Sequence, residues 1–329
     1  MDRETLFKLL VARGLIIGYS RVLKQVYVDS DKKVIHVAKV LDEAGYGDYK
    51  VVVTGPFEAL TAGETPPRTG KFRPLIAGVS LGHRDITAGT LSGLAEKDGT
   101  YCIFSNAHIL HPYCLSPNPP YNKGIWQPGP YDTDYDYANE QQYTVAEYTT
   151  HVRIHSIYEY SPCPITKLLN ALYYLLGRNS IIITQTPNYV DAGLATLRKG
   201  VSFDMTTYAV EYGQAPPDLL KKPFIGLVFA GTSQGHAAIC KLPKYWNTYF
   251  RDYRILFPSN PYSGEVSVNQ VVAKDGRTSG YTWGKVIDPA ASVMVGYGFD
   301  IAWFEDIIIT GPEIGVKGGD SGSPTWLLK

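Results

Sequence analysis

Three short stretches carry side chains able to do chemistry together. The first is Gly318-Gly319-Asp320-Ser321-Gly322-Ser323-Pro324. A serine between glycines suits a nucleophile, because glycine adopts backbone angles closed to other residues and lets successive N–H groups converge on one point. A negative oxygen forming on a substrate carbonyl would be held there. Losing one such donor typically costs roughly 100- to 1000-fold in rate. Alone, a Gly-Asp-Ser-Gly run is equally a surface turn. The second stretch is Ser105-Asn106-Ala107-His108, after the apolar run Tyr101-Cys102-Ile103-Phe104, and the third is Val190-Asp191-Ala192-Gly193-Leu194-Ala195.

A serine hydroxyl is a weak nucleophile at neutral pH, so a neighbouring base must take its proton as it attacks. His108 is the candidate, because imidazole accepts a proton near pH 7 and can return it to a leaving amine. Asp191, framed by Val190, Ala192 and Leu194, is expected to be partly buried and to orient that ring, an effect worth about 10⁴ in turnover. Asp132, Asp134 and Asp136 compete for the role but fall in a tyrosine- and proline-rich stretch without an apolar frame, read as a solvated loop. A calcium loop there would need Gly and Glu where Tyr137 and Tyr143 stand. His151 and His155 lack a third ligand, and His36 reads as an edge or core histidine. No metal site and no cofactor are expected.

The elements that must position these residues are mostly strands. With 32 Gly, 22 Pro and 25 Tyr among 329 residues, the chain suits a β-rich, turn-rich protein. Glu4 to Val11 predicts a helix ended at Gly14. Gln25–Val28 and Val34–Ala38 alternate around a polar turn and predict a hairpin, with Tyr49–Thr54 as a third strand. These make a small α+β unit over residues 1–60, and 61–71, with Pro66-Pro67, reads as a linker. From Phe72 onward short strands and regular turns predict a barrel or sandwich. The clearest helix is Pro164 to Leu176, an insertion closed by Gly177. Another short helix is expected over Pro243 to Tyr249.

Charge is balanced, 31 basic against 31 acidic residues, which argues against a nucleic-acid partner. No run of about 18 uninterrupted apolar residues predicts a membrane span. The charged start is a poor secretory signal, so cytoplasmic is the default expectation. Cys102, Cys114, Cys163 and Cys240 include no C-x-x-C pair, and a bridge between Cys102 and Cys114 stays open.

His, Asp and Ser in that chain order is the order of chymotrypsin-type hydrolases, and the three stretches resemble the motifs of the chymotrypsin-like (trypsin-like) serine peptidase clan. More of the chain is similar to a prokaryotic branch of it, through Gly78-Val79-Ser80-Leu81-Gly82-His83, Thr87-Ala88-Gly89-Thr90-Leu91, Gln127-Pro128-Gly129-Pro130 and Gly276-Arg277-Thr278-Ser279-Gly280-Tyr281-Thr282 with Gly284-Lys285-Val286. The resemblance covers about Phe72 to Pro324. It implies a mainly β, chymotrypsin-like double β-barrel over 72–329 and a serine endopeptidase acting on a peptide or protein substrate through His108, Asp191 and Ser321. It also implies the oxyanion hole of Gly319 and Ser321.

Two departures matter. The position that sets charge preference at the base of the trypsin specificity pocket, six before the serine, is Gly315, so a strict Lys or Arg preference is not expected. The chain also ends eight residues after Ser321 (329 − 321), where the family needs further strands, one of them pairing with substrate. Truncation is one explanation. The favoured one is a permuted second barrel, in which Gly226 to Tyr249 fills the place of the missing segment, through the strand-like run Pro223 to Gly231, then Ala237–Cys240 and the Pro243–Tyr249 helix; Phe229, Ala230 and Gly231 would then bind substrate. A different function class, a peptide-binding or structural module that is inactive or self-limited, stays as the alternative.

Overall fold

The computed structural model describes residues 2–58, 67–157, 186–298 and 300–328. The chain is mainly β, as expected, and its strands divide into two large sheets and a small one. The helix expected over Pro164–Leu176, and Cys163, lie outside the described residues.

One sheet is built from Arg254–Phe257, Gly93–Lys97, Thr100–Ser105, Gly193–Leu197, Thr144–His151, Gly124–Trp126, Ser80–His83 and Gly89–Thr90, in that spatial order. Its inward residues, among them Leu81, Leu91, Leu94, Ile103, Ile125, Val145 and Ala195, form one apolar core. The glycine-rich turns of the sequence fall between these strands, where period-two alternation stops.

The other large sheet contains a closed ring. Val271–Gly276, Pro324–Leu327, Phe224–Gly231, Ala237–Cys240, Asp300–Thr310 and Gly280–Tyr297 each pair with the next, and the last pairs back to the first. Closure removes the exposed edges that a short open sheet would carry. The strand Phe224–Gly231 is buried at every position and pairs antiparallel with Pro324–Leu327, Gly226 opposite Thr325. The helix after Ala237–Cys240 spans Leu242–Tyr249, close to expectation, and seats Trp246 against Phe104 of the first sheet with ring centroids 5.6 Å apart.

The N-terminal segment departs from expectation at one element. The helix Arg3–Ala12 forms, capped by Asp2, which accepts from the Thr5 N–H. Gly14 follows at φ +65°. The strand over Lys50–Val53 also forms. Val34–Ala38, however, is not the second arm of a hairpin: Val34–Glu43 is a helix that buries Val37 and Leu41, one turn apart, and leaves His36 exposed. The partner of Gln25–Val28 is instead Gly18–Ser20, with Lys50–Val53 parallel on its other side. Alternation over five residues fits one face of a helix nearly as well as a strand. The helices and strands enclose a core of their own, with Phe7, Leu10, Tyr19, Val26, Val28 and Leu41 under Trp303. Gly18–Ser20 then adds to Gly280–Tyr297, Gly18 opposite Val293, and the Tyr27 hydroxyl donates to Asp288 Oδ2 at 2.5 Å.

Candidate active site

Strand register brings the histidine and aspartate together. Thr100–Ser105 and Gly193–Leu197 pair antiparallel with Gly193 opposite Ser105. The chain leaving the first strand therefore meets the chain entering the second at Asn106–His108 and Asp191. His108 sits in the short helix Ala107–Leu110 that follows. Its Nδ1 lies 2.6 Å from Asp191 Oδ2. Asp191 is fully buried, more deeply than expected. Its Oδ1 accepts from the backbone N–H of Ala107 at 2.6 Å and of His108 at 3.3 Å, and its Oδ2 also accepts from the Tyr297 hydroxyl at 2.8 Å. The Asn106 side chain holds the Asp191 carbonyl at 2.7 Å. The carboxylate thus fixes which ring nitrogen of His108 faces it.

Ser321 comes from the other sheet, in the turn before Pro324–Leu327. Thr90 and Ser92 of the first sheet bind this turn: Thr90 N–H donates to the Ser321 carbonyl at 2.7 Å, Thr90 Oγ1 to the Gly319 carbonyl at 2.8 Å, and Ser92 Oγ to the Gly322 carbonyl at 2.5 Å. Ser105, three residues before His108, donates to the Thr90 carbonyl at 2.7 Å, so one strand end supports both halves of the site. Ser321 Oγ donates to the Phe229 carbonyl at 3.5 Å, while His108 Nε2 is buried with no hydrogen-bond partner among the described residues. The hydroxyl and the free ring nitrogen are not hydrogen-bonded to each other. In enzymes without substrate such bonds are often long and tighten only when it binds.

Gly319 and Ser321 carry the two backbone N–H groups that the resemblance assigned to an oxyanion hole. Among the described residues neither N–H has an acceptor, whereas those of Asp320, Gly322 and Ser323 do. Gly319 stands at φ +93°, and a Cβ on it would run into Thr278 Oγ1 and Arg277 Nη1. The expected substrate strand also lies beside the serine: Gly322 N–H donates to the Val228 carbonyl at 2.8 Å, and Val228 N–H to the Ser323 carbonyl at 3.1 Å. Ala230 and Gly231 continue from Phe229 and pair with Ala238 and Ala237. Gly315 sits at φ +60° after the turn Pro312–Ile314, next to Gly235.

Several residues that build the site carried no assigned role in the sequence. Asp320 is fully buried and accepts from the N–H groups of Thr278, Ser279 and Lys317, each at 3.0 Å, and from Ser279 Oγ at 2.5 Å. The equally buried Lys274 ammonium lies 3.3 Å from it. Burial pulls the Lys274 ammonium below its ordinary pKa, and the charges of Asp320 and Asp275 oppose that pull. Arg277 donates from Nε to Asp132 Oδ2 at 2.7 Å and from Nη1 to Thr278 Oγ1 at 2.9 Å, and Thr278 Oγ1 holds the Gly318 carbonyl at 2.6 Å. This corrects the solvated-loop reading of Asp132, whose side chain has no exposed surface because Arg277 pairs with it. The Gly276–Thr282 stretch that carries Arg277 to Ser279 had pointed to this region by its resemblance only. Tyr297 had no local signal, since its partner is 106 residues away.

His151 ends the strand Thr144–His151. Its ring accepts from the Tyr148 hydroxyl at 2.6 Å, lies 3.0 Å from the Cys114 carbonyl, and packs against His111 with centroids 4.6 Å apart. Cys102 and Cys114 are buried free thiols, so the bridge left open around His108 is not formed. No helix among the described residues is long and apolar enough to cross a membrane.

No family model and no curated protein matches the chain. Among solved structures it is similar to a glutamic-acid-specific serine protease described as using a histidine triad in substrate binding, at 11% identity and TM-score 0.33, over 77% of this chain and 92% of that one. Protease A of Thermobifida fusca gives 9% and 0.30, and a Nocardiopsis protease 9% and 0.31, each over 77% of this chain and 90% of its own. Likenesses this remote carry no argument about chemistry.

Proposed function

We propose that the chain is a serine endopeptidase that hydrolyses peptide bonds through an acyl-enzyme. The observation that carries this reading is the 2.6 Å contact of His108 Nδ1 with the buried Asp191 carboxylate, which leaves Nε2 unpartnered. Ser321 Oγ would attack the substrate carbonyl, Nε2 would take its proton, and the free N–H groups of Gly319 and Ser321 would hold the oxyanion. The bond to the leaving amine then breaks as His108 returns the proton, and water repeats the cycle on the ester. Gly315 leaves the specificity pocket without charge, and the edge formed by Phe229, Ala230 and Gly231 suits an extended peptide. The six-stranded ring is consistent with a permuted second barrel, since Phe224–Gly231 precedes the serine in sequence yet lies beside it.

The decisive experiment is labelling by a fluorophosphonate together with burst kinetics on an activated ester. Ser321→Ala should abolish both. One observation favours a second reading, a peptide-binding module of low turnover: Ser321 is fully buried and its hydroxyl is turned to the Phe229 carbonyl. Protein that takes no label and leaves denatured casein intact would establish that alternative.

A further inference from the structure

Asp191 Oδ1 accepts from two backbone N–H groups, those of Ala107 and His108, but Oδ2 is shared. His108 Nδ1 and the Tyr297 hydroxyl both reach it, at 2.6 and 2.8 Å. The Tyr297 ring also meets the His108 ring edge-on, centroids 5.7 Å apart and planes at 68°. A single side chain therefore touches both members of the pair. A carboxylate oxygen offers two lone-pair directions, and a donor settled on one leaves the other for the ring. We propose that Tyr297 is a positioning residue for the His108–Asp191 pair, fixing the carboxylate with its hydroxyl and the imidazole with its ring. This role rests on the hydrolase reading above.

The surroundings are built to keep that donor in place. Burial and the charge of Asp191 push the phenol well above its ordinary pKa, so it stays protonated and donates. Tyr297 ends the strand Gly280–Tyr297. Immediately before it, Met294 N–H donates to the Ile17 carbonyl at 2.6 Å, and Gly18 faces Val293 so closely that a Cβ on Gly18 would run into the Ser292 carbonyl. On the far side the Tyr297 ring packs on Phe304, which packs on Phe229, the residue whose carbonyl receives Ser321 Oγ. The N-terminal segment thus braces the strand that carries the tyrosine. The other titratable groups that act on Asp191 or Tyr297 are Cys114, Cys240 and His151.

Tyr297→Phe keeps the ring and removes only the hydroxyl. In the full chain, NMR of ring-labelled histidine, with His108 assigned from His108→Gln, should show its titration midpoint raised by about half to one unit. The reason is that a hydroxyl dipole no longer offsets the carboxylate charge. The acid limb of kcat/KM should move up by the same amount, and kcat on an activated ester should fall roughly tenfold with KM nearly unchanged. Urea midpoints of the two proteins separate this from a loss of fold. A Tyr297→Phe protein in which His108 titrates as in the parent overturns the proposal and leaves the ring a packing group. Parent protein without turnover or label would overturn the hydrolase reading alone, because the NMR midpoint reports the coupling of Tyr297 to the pair whether or not substrate is cleaved.

Discussion

Asp191 and Asp320 both lie without exposed surface, and their partners differ in kind. Asp320 is met by a full cation, Lys274, and by four further donors that occupy both oxygens. Its charge is matched inside the turn, and the turn is thereby held in one shape. Among the described residues Asp191 has only neutral donors and the imidazole. Its charge stays unmatched until His108 takes a proton, which is when a reaction through Ser321 would need it. A carboxylate neutralised by a fixed cation organises backbone, whereas one facing an imidazole can stabilise a charge that appears and disappears.

That contrast can be broken at either aspartate. Asp191→Asn should leave the fold intact but cost about 10⁴ in kcat on an activated ester, because the amide favours the wrong ring tautomer; a loss under tenfold would sink the assignment. On the other side, Lys274→Met leaves the buried Asp320 charge without its cation, and breaking such a pair from one side costs about 3–5 kcal/mol. Urea denaturation should read that loss, and an unchanged midpoint would show that the backbone donors suffice for Asp320.

Gly319→Ala attacks the proposed cradle, in the turn that Asp320 supports. It combines a Cβ at φ +93° with collisions against Thr278 and Arg277. Activity should drop roughly 100- to 1000-fold, with fluorophosphonate labelling slowed to match; near-normal labelling would remove Gly319 from the oxyanion hole. The smallest effect concerns pH and the histidine side alone. Burial holds His151 down to about 4, below its unfolded value, so the unfolded chain binds the extra proton first. Its contribution is complete above about pH 6.5 and is lost as pH falls toward 4, roughly 1–2 kcal/mol after allowance for its partial exposure. Thermal melts across that window should flatten in His151→Gln, and an equal slope in both proteins would assign the acid loss elsewhere.

The parts legible in the sequence were those with a local cause. Gly318–Pro324 announces a turn because only glycine tolerates its angles, and Val190–Leu194 announces a partly buried aspartate because apolar neighbours frame it. The helix expected over Glu4 to Val11 shows its apolar stripe and its stop at Gly14 within a few residues. Val34–Ala38 misled because its alternation is too short to separate a strand from a helix face, and packing of Val37 and Leu41 against the N-terminal core decided for helix. Asp132 misled for the opposite reason: its own neighbours are polar, and what buries it is Arg277, 145 residues away.

By itself, then, the order of residues determined the chemical kit of His108, Asp191 and Ser321, the mainly β class, and the glycines at which the nucleophile turn can form. Only the tertiary structure decided that Thr90 ties the serine turn to the histidine strand, that Lys274 and Arg277 anchor that turn, and that Tyr297 meets Asp191. The physical reason is range. Backbone angles and periodicity act over a few residues, but matching a buried charge depends on whichever distant strand the closed ring brings alongside it.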